Sequence, residues 1–265
     1  MTSLMEQLYY KQIITKGMDK ENKYGTLGAQ IRLLELLKEF HAFCVRNGIK
    51  YSLAYGSLLG AIRHNGFIPW DDDLDVFVDR KSYDVLVEKL SADNILDVSM
   101  DSLWVDRVRY RKDMSAKGYR PTLDILVLDN VPASGFTRKL KLFKILALQG
   151  MMKPHPSFNK GSFVMRLCSY ITFCLGKFFS SKWKRKVYIT VSKQGQPSGK
   201  VANYNGEFAD LRRTYPATIM NSIIEHSFED TKAFIVADYD MCLKTQFGDY
   251  MTPPKESDRK PRHGA

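Results

Sequence analysis

The sequence predicts an α+β protein: a mixed sheet flanked by helices, with a helical insertion in the second half of the chain. Three observations predict it. Apolar positions recur at helical spacing across residues 26–48. Short aliphatic runs alternate with turn signals between residues 51 and 128, and residues 135–193 then lose strand character and become consecutive apolar and basic helical segments. With 265 residues, 44% of them hydrophobic and 12% aromatic, a sizeable core can be buried without disulfides or a structural metal.

The opening stretch MTSLMEQLYYKQ carries Glu6 and Lys11 and no long apolar run, so it does not read as a secretory signal. Leu27, Ile31, Leu34, Leu37 and Phe40 line one helical face, and Gly48 stops that helix. Tyr51 to Tyr55 reads as a strand, Gly56-Ser57 as the turn into a helix from Leu58 to His64, and Asn65-Gly66 as its end. The loop Phe67-Ile68-Pro69-Trp70 delivers Asp71-Asp72-Asp73 to a buried strand, Leu74 to Val78, followed by a helix from Arg80 to Leu90. Two more strands are expected at Trp104 to Tyr110 and Thr122 to Leu128, with Asp129 capping the second and turning the chain.

Residues 163–179 (FVMRLCSYITFCLGKFF) are the most apolar stretch, but only Leu167 to Gly176 is free of charge, short of the roughly 20 residues a spanning helix needs. The simpler expectation is a buried helix of a helical subdomain. The other is a helix lying on a membrane surface, with Lys182, Lys184, Arg185 and Lys186 on the headgroups. Val201 to Phe208 and Ile219 to Phe228 read as extended, Tyr239 to Phe247 as helical, and the tail PPKESDRKPRHGA as loosely ordered. The expected organisation is a core in 1–134, a helical insertion in 135–200 serving acceptor or membrane-surface binding, and a C-terminal part, 201–265, completing the core.

Forty Lys and Arg against 29 Asp and Glu give a net charge of +11. The positive charge gathers between Arg138 and Lys200 and in Lys255, Arg259, Lys260 and Arg262, whereas carboxylates cluster around residues 71–106. An acidic pocket in a basic body suits a metal site whose substrate is a phosphate better than a duplex-binding groove. Cys44, Cys168, Cys174 and Cys242 show neither a C-x-x-C pair nor zinc-ligand spacing, as expected of reduced thiols in the cytoplasm.

The chemistry centres on GSLLGAIRHNGFIPWDDDLDV, residues 56–76. Residues two apart on a strand face the same side, roughly 6.5 Å apart. Asp73 and Asp75 therefore project together, Asp71 joins from the loop edge, and Leu74, Val76 and Val78 point into the core. Side-by-side carboxylates call for a hard cation, magnesium first and manganese second. Asp124, in the apolar run PTLDILVLD, would complete a set of three or four acids if its strand lay beside that of Asp73. Gly56-Ser57 at a strand–helix join can bring backbone N–H groups to a phosphate. Arg63 is a candidate phosphate contact; His64, Trp70, Arg109 and His263 are candidate substrate contacts, with Arg109 in the alternating set Arg107, Arg109, Arg111.

Tyr51 to His64 together with Gly66 to Asp75 resemble the signature of LicD-type phosphotransferases, a family that includes bacterial phosphocholine transferases and the fukutin-like proteins. Leu123-Asp124-Ile125 resembles the family's second acidic strand, and Phe228-Glu229, Tyr239-Asp240, Phe247 to Met251 and Pro253-Pro254 its C-terminal signature. The resemblance implies a nucleotidyltransferase-like core. It implies metal-binding roles for Asp71, Asp73, Asp75 and Asp124, with Asp73, Asp75 and Asp124 catalytic. The implied reaction moves phosphocholine or a similar group from a CDP-linked donor such as CDP-choline to a glycan or lipid-linked glycan hydroxyl, as in polysaccharide, lipopolysaccharide or capsule biosynthesis. The thiols, not the resemblance, lead to the expectation of a cytoplasmic place, and the apolar and basic stretch adds peripheral contact at the inner face of the cell membrane through residues 163–186 as the alternative to a buried helix. Two other readings stand beside it: a nucleotidyltransferase acting on a small molecule or protein, and a non-catalytic basic module binding nucleic acid or membrane. The acid set counts against nucleic acid.

Overall fold

The structure, a computed structural model, describes residues 22–99, 104–115, 120–155, 163–206 and 210–261. Among them are seven α-helices and nine strands. Helix α1 (Leu27–Asn47) follows Thr26 and ends where Gly48 takes the left-handed conformation, φ 63°, a backbone position that suits glycine. It buries Leu33, Leu36, Leu37 and Phe40 against the sheet.

Strand β1 (Ser52–Leu53) leads into α2 (Tyr55–His64), and β2 (Asp75–Asp79) into α3 (Arg80–Ser91). Asp79 caps α3, its carboxylate accepting the Ser82 N–H at 2.7 Å. Then come β3 (Leu96–Ser99), β4 (Asp106–Tyr110) and the long β5 (Leu123–Pro132). After the insertion follow β6 (Pro197–Asn203), β7 (Tyr215–Pro216), the hairpin β8 (Ile223–Phe228) and β9 (Thr231–Val236), and helix α7 (Tyr239–Phe247).

The seven-stranded sheet runs β1-β2-β5-β4-β3, with β6 and β7 continuing from β5. Only the β2–β5 pairing is parallel; the other pairings of this sheet are antiparallel, so it is mixed as expected. Strand β5 is long enough to serve three neighbours: its first half pairs with β2 and β4, its second half with β6. The β8–β9 hairpin docks beside β1, where the Val236 N–H donates to Ser52 Oγ at 2.9 Å.

Helix ends follow the sequence expectation to within a residue or two in α1, α3 and α7, where an apolar stripe and a cap agree. Helix α2 starts earlier than expected, so that Gly56 and Ser57 lie in its first turn. Strands β3 and β9 have no counterpart in the sequence reading. β3 is four residues with an acid inside it, and β9 is separated from β8 by only two residues, Glu229-Asp230.

The insertion contributes α4 (Gly135–Met152), α5 (Phe163–Gly176) and α6 (Ser181–Lys193). α4 and α6 share a second core with β5 and β6, built on Ile145, Leu148, Tyr188, Val191 and Tyr204. Lys141 is buried there, over the Tyr204 ring at 4.0 Å, its ammonium donating to Asn130 O, Ser192 O and Gln194 O at 2.7–2.9 Å.

Four expectations are corrected. Helix α5 is not buried: Gly176 is its one buried residue, although this is the most apolar helix of the chain. Arg185 does not face outward but reaches Asp106 at 2.5 Å, and Lys184 donates inward to Met151 O and Gly176 O. Carbonyls at the ends of α4 and α5 hold Lys184, and the buried Asp106 carboxylate draws in Arg185. Asp129 lies within β5 rather than capping it, 3% exposed, in a two-point pair with Arg80 at 2.8 and 2.5 Å. The tail does not stray: a short 3₁₀ turn at Glu256–Asp258 leads to Arg259, whose guanidinium sits over Trp70 at 5.1 Å. Arg262 and His263 lie outside the described residues.

Candidate active site

The site is assembled where β1 gives way to α2 and where β2 lies beside β5. Tyr55 opens α2 with φ 43°, a left-handed conformation that costs a bulky residue on the order of 1–3 kcal/mol and is held by burial of its ring against Phe77 at 5.4 Å. That sharp entry points the first turn of α2, with Gly56 and Ser57, toward the acidic loop. A Cβ on Gly56 would meet Asp71 Oδ2 at 2.3 Å, so the Asp71 carboxylate lies directly over the glycine. Ser57 is buried, and its hydroxyl accepts the Asp75 N–H at 2.9 Å, fastening the helix to the start of β2. Ser57 therefore positions Asp75 as well as lying near the helix N-terminus.

The β2–β5 register places Asp75 opposite Asp124 on neighbouring parallel strands. On the other side of Asp124 the register partner is Arg107, whose Nε donates to Asp124 Oδ1 at 2.8 Å. The acid in the apolar strand thus has an arginine on one flank and an aspartate on the other. Asp71 and Asp73 are partly exposed just ahead of β2, and Asp72 between them is buried at 4% exposure.

The loop carrying these acids is pinned from behind. Gln30 of α1 donates to Ile68 O at 3.0 Å and to Asp71 O at 2.8 Å, and Thr26 Oγ1 donates to Pro69 O at 2.6 Å. The Glu229 carboxylate accepts the Phe67 N–H at 2.9 Å, and the Glu229 N–H donates to Asn65 O at 2.8 Å. Gln30 was not singled out in the sequence, and Glu229 entered only through the Phe228-Glu229 resemblance without this role, because each acts on backbone atoms across a long sequence separation. A polar residue on the buried stripe of α1 was the one available signal for Gln30.

The predicted substrate contacts divide. Trp70 is an anchor, its ring met by Tyr24 at 5.8 Å, His64 at 6.2 Å and Arg259 at 5.1 Å. Arg63 donates to Tyr250 O at 2.8 Å, and burial, with the neighbouring Arg259 charge, lowers its pKa. Two guanidiniums held near one another at Trp70 make a cationic corner beside the acidic loop. Arg109 is buried in β4, opposite Asp97 of β3. Arg111 is taken up by Asp97 and the Leu90 and Asp93 carbonyls.

The donor set is all oxygen, the chemistry of magnesium or manganese rather than zinc. Among the described residues no three His, Cys, Asp or Glu side chains already converge as a metal cage. A magnesium ion does not require one: it keeps several waters and takes one or two carboxylates together with substrate phosphates. Asp75 with Asp71, Asp73 or Asp124 fits that pattern.

Residues 48–126 match the family model described as LicD/FKTN/FKRP, nucleotidyltransferase domain. The match takes in α2, the acidic loop, β2 and Asp124. Across 88% of its length the chain is also 27% identical to the lipopolysaccharide cholinephosphotransferase LicD of Haemophilus influenzae, covering 94% of that protein. Shorter stretches, 24% and 17% of the chain, are 42% and 50% identical to uncharacterized proteins of Rickettsia prowazekii and Rickettsia typhi. Residues 48–126, which carry α2, the acidic loop and Asp124, are therefore similar to the LicD-type nucleotidyltransferase domain.

Proposed function

We propose that the protein is a transferase that moves phosphocholine, or a closely similar phospho-substituent, from a CDP-linked donor to a hydroxyl of lipopolysaccharide or its lipid-linked precursor. The observation that carries this reading is the register of Asp75 against Asp124, with Gly56 and Asp71 in contact at the N-terminus of α2. The similarity to a lipopolysaccharide cholinephosphotransferase over nearly the whole chain supports the group moved and the acceptor. We read the mixed sheet, with α2 leading into the acidic loop and β2, as a nucleotidyltransferase-type core, in keeping with the family description.

Magnesium, held by Asp75 with Asp71 or Asp73, would supply charge stabilisation on the donor diphosphate. The chain's own groups do the rest. Backbone N–H groups of the first turn of α2 face the diphosphate, where the helix dipole favours negative charge. Arg63 and Arg259 offer guanidiniums to the outer phosphate oxygens. Asp124 orients the acceptor hydroxyl and takes its proton. Arg107, whose Nε donates to Asp124 Oδ1 at 2.8 Å, holds that carboxylate in place. Little proton transfer is asked of it, because phosphoryl-type transfer passes through a loose transition state in which positioning dominates.

The experiment is thermal stability with magnesium and, in turn, CDP-choline, CDP-ethanolamine, CDP-glycerol, CDP-ribitol and CTP. A ligand at a hundred times its dissociation constant stabilises by about 2.7 kcal/mol, several degrees in Tm. A magnesium-dependent shift with one CDP-linked donor supports the proposal and names the donor. A shift with CTP alone moves the assignment to a nucleotidyltransferase.

A further inference from the structure

Among the described residues the most apolar helix, α5, is exposed along nearly its whole length. Along α5, Phe163 is 78% exposed and Val164 65%, and Leu167, Tyr170, Ile171 and Leu175 are exposed as well. Exposed apolar side chains also stand on α4, where Phe136, Leu140 and Phe143 share one face at spacings of four and three, and on the α5–α6 link, where Phe178 is 84% exposed. Phe179 stacks on Trp183 at 4.3 Å. Apolar exposure on this scale within one three-helix segment marks something that covers it.

The charge pattern says what. None of the chain's 29 acidic residues falls between residues 130 and 206. Lys139, Lys144, Arg166, Lys177, Lys182 and Lys186 are all exposed around the apolar faces of this segment. Arg166 stands on α5 beside Phe163, Leu167 and Tyr170. A second copy meeting this face through the same surface would set cation against cation, with no acid to answer. An anionic lipid headgroup layer is complementary, and the hydrocarbon beneath it accepts the aromatic and aliphatic side chains. The 14 residues of α5 make a helix about 21 Å long, too short to span a bilayer of about 30 Å, and no helix among the described residues is long and apolar enough to cross one.

We propose that α4, α5 and α6 form a membrane-docking face that lies in the interface of an anionic phospholipid bilayer, Phe143, Phe163 and Phe178 entering the acyl region and the surrounding lysines and Arg166 contacting phosphate headgroups. Within the fold, α6 ties this segment to the core at β4 and at α3: Arg185 on Asp106, which also accepts from the Tyr83 hydroxyl, and Lys193 on Asp84 at 3.0 Å. A membrane-bound insertion therefore holds the core at a fixed distance from the bilayer. The inference does not rest on the transferase reading, since docking is read without turnover.

The test is sedimentation of the full chain with vesicles of phosphatidylcholine alone and of phosphatidylcholine mixed with phosphatidylglycerol. The expected result is binding to the mixed vesicles, weakened by added salt, and reduced about tenfold or more in Phe143→Ser/Phe163→Ser/Phe178→Ser and in Lys139→Glu/Lys144→Glu. All five positions are exposed, so the variants should melt as the wild type does; Val45→Ser/Ile95→Ser, exposed apolar residues elsewhere, should bind normally. No binding to either vesicle, or binding unaffected by the face variants, overturns the proposal. So does a concentration-dependent dimer in ultracentrifugation that the three Phe→Ser changes disperse, which would assign the face to a second copy.

Discussion

Gly56→Ala separates folding from chemistry at one atom. The added Cβ would lie 2.3 Å from Asp71 Oδ2, whereas real Cβ contacts essentially never fall below 3.0 Å. Gly56 is helical, with no positive φ, so alanine suits its backbone and brings up to about 1 kcal/mol of helix propensity. The carboxylate, the end of a short rotatable side chain, must give way by about 1 Å, a displacement that at a reacting centre costs on the order of 100-fold. The expected outcome is a Tm at or slightly above wild type, a loss of CMP release from the donor of about that size, and a higher magnesium concentration for half-maximal rate. Gly60→Ala is the contrasting control. Its Cβ would meet Gly66 O at 2.3 Å and Ile68 N at 3.2 Å, backbone atoms that cannot rotate aside, so it should cost stability, about 1–3 kcal/mol. Gly56→Ala retaining wild-type turnover and magnesium response would refute the placing of Asp71 at the reacting centre.

Three further outcomes follow from the same geometry. Asp129→Asn leaves Arg80 without its partner in a buried two-point pair and should cost about 3–5 kcal/mol, a Tm fall on the order of 10 °C by calorimetry. Burial holds the His41 pKa below its usual value of 6.5, against the opposing pull of Glu225. The unfolded chain therefore takes up a proton that the folded chain refuses as pH drops through the window just below that value, and stability falls there. In His41→Gln the Tm difference between about pH 7.5 and about pH 5.5 should shrink. Arg259→Ala removes the guanidinium over Trp70 and beside Arg63 and should raise the donor KM with kcat changed less; an unchanged KM would exclude the tail from the donor site.

The elements legible in the sequence are those in which local and tertiary preferences agree. Helix α1 has an apolar stripe, a long run and a glycine stop, and α7 has Asp238 to cap it and Gly248 to end it. The Asp75 strand was readable because acids and aliphatics alternate, and the structure places Asp124 beside it in parallel register. What was not legible depends on partners distant in sequence. Asp129 looked like a strand end because Asn130 and Pro132 follow it, yet β5 continues so as to pair with β6, some 70 residues on. Arg185 looked like a surface cation because its neighbours are lysines, and only the fold reveals the buried Asp106 it serves. The exposure of α5 was one of two readings the sequence left open, because hydrophobicity alone does not distinguish a core helix from one that lies on a surface.

The most direct measurement is transfer of labelled choline phosphate from CDP-choline to lipopolysaccharide, comparing the wild type with Asp75→Asn at matched folding. The account predicts labelled glycan and an equal amount of CMP from the wild type, and background from Asp75→Asn at an unchanged Tm. Asp75→Asn labelling glycan at the wild-type rate, or a wild type that releases pyrophosphate from CTP and transfers nothing from any CDP-linked donor, would contradict it.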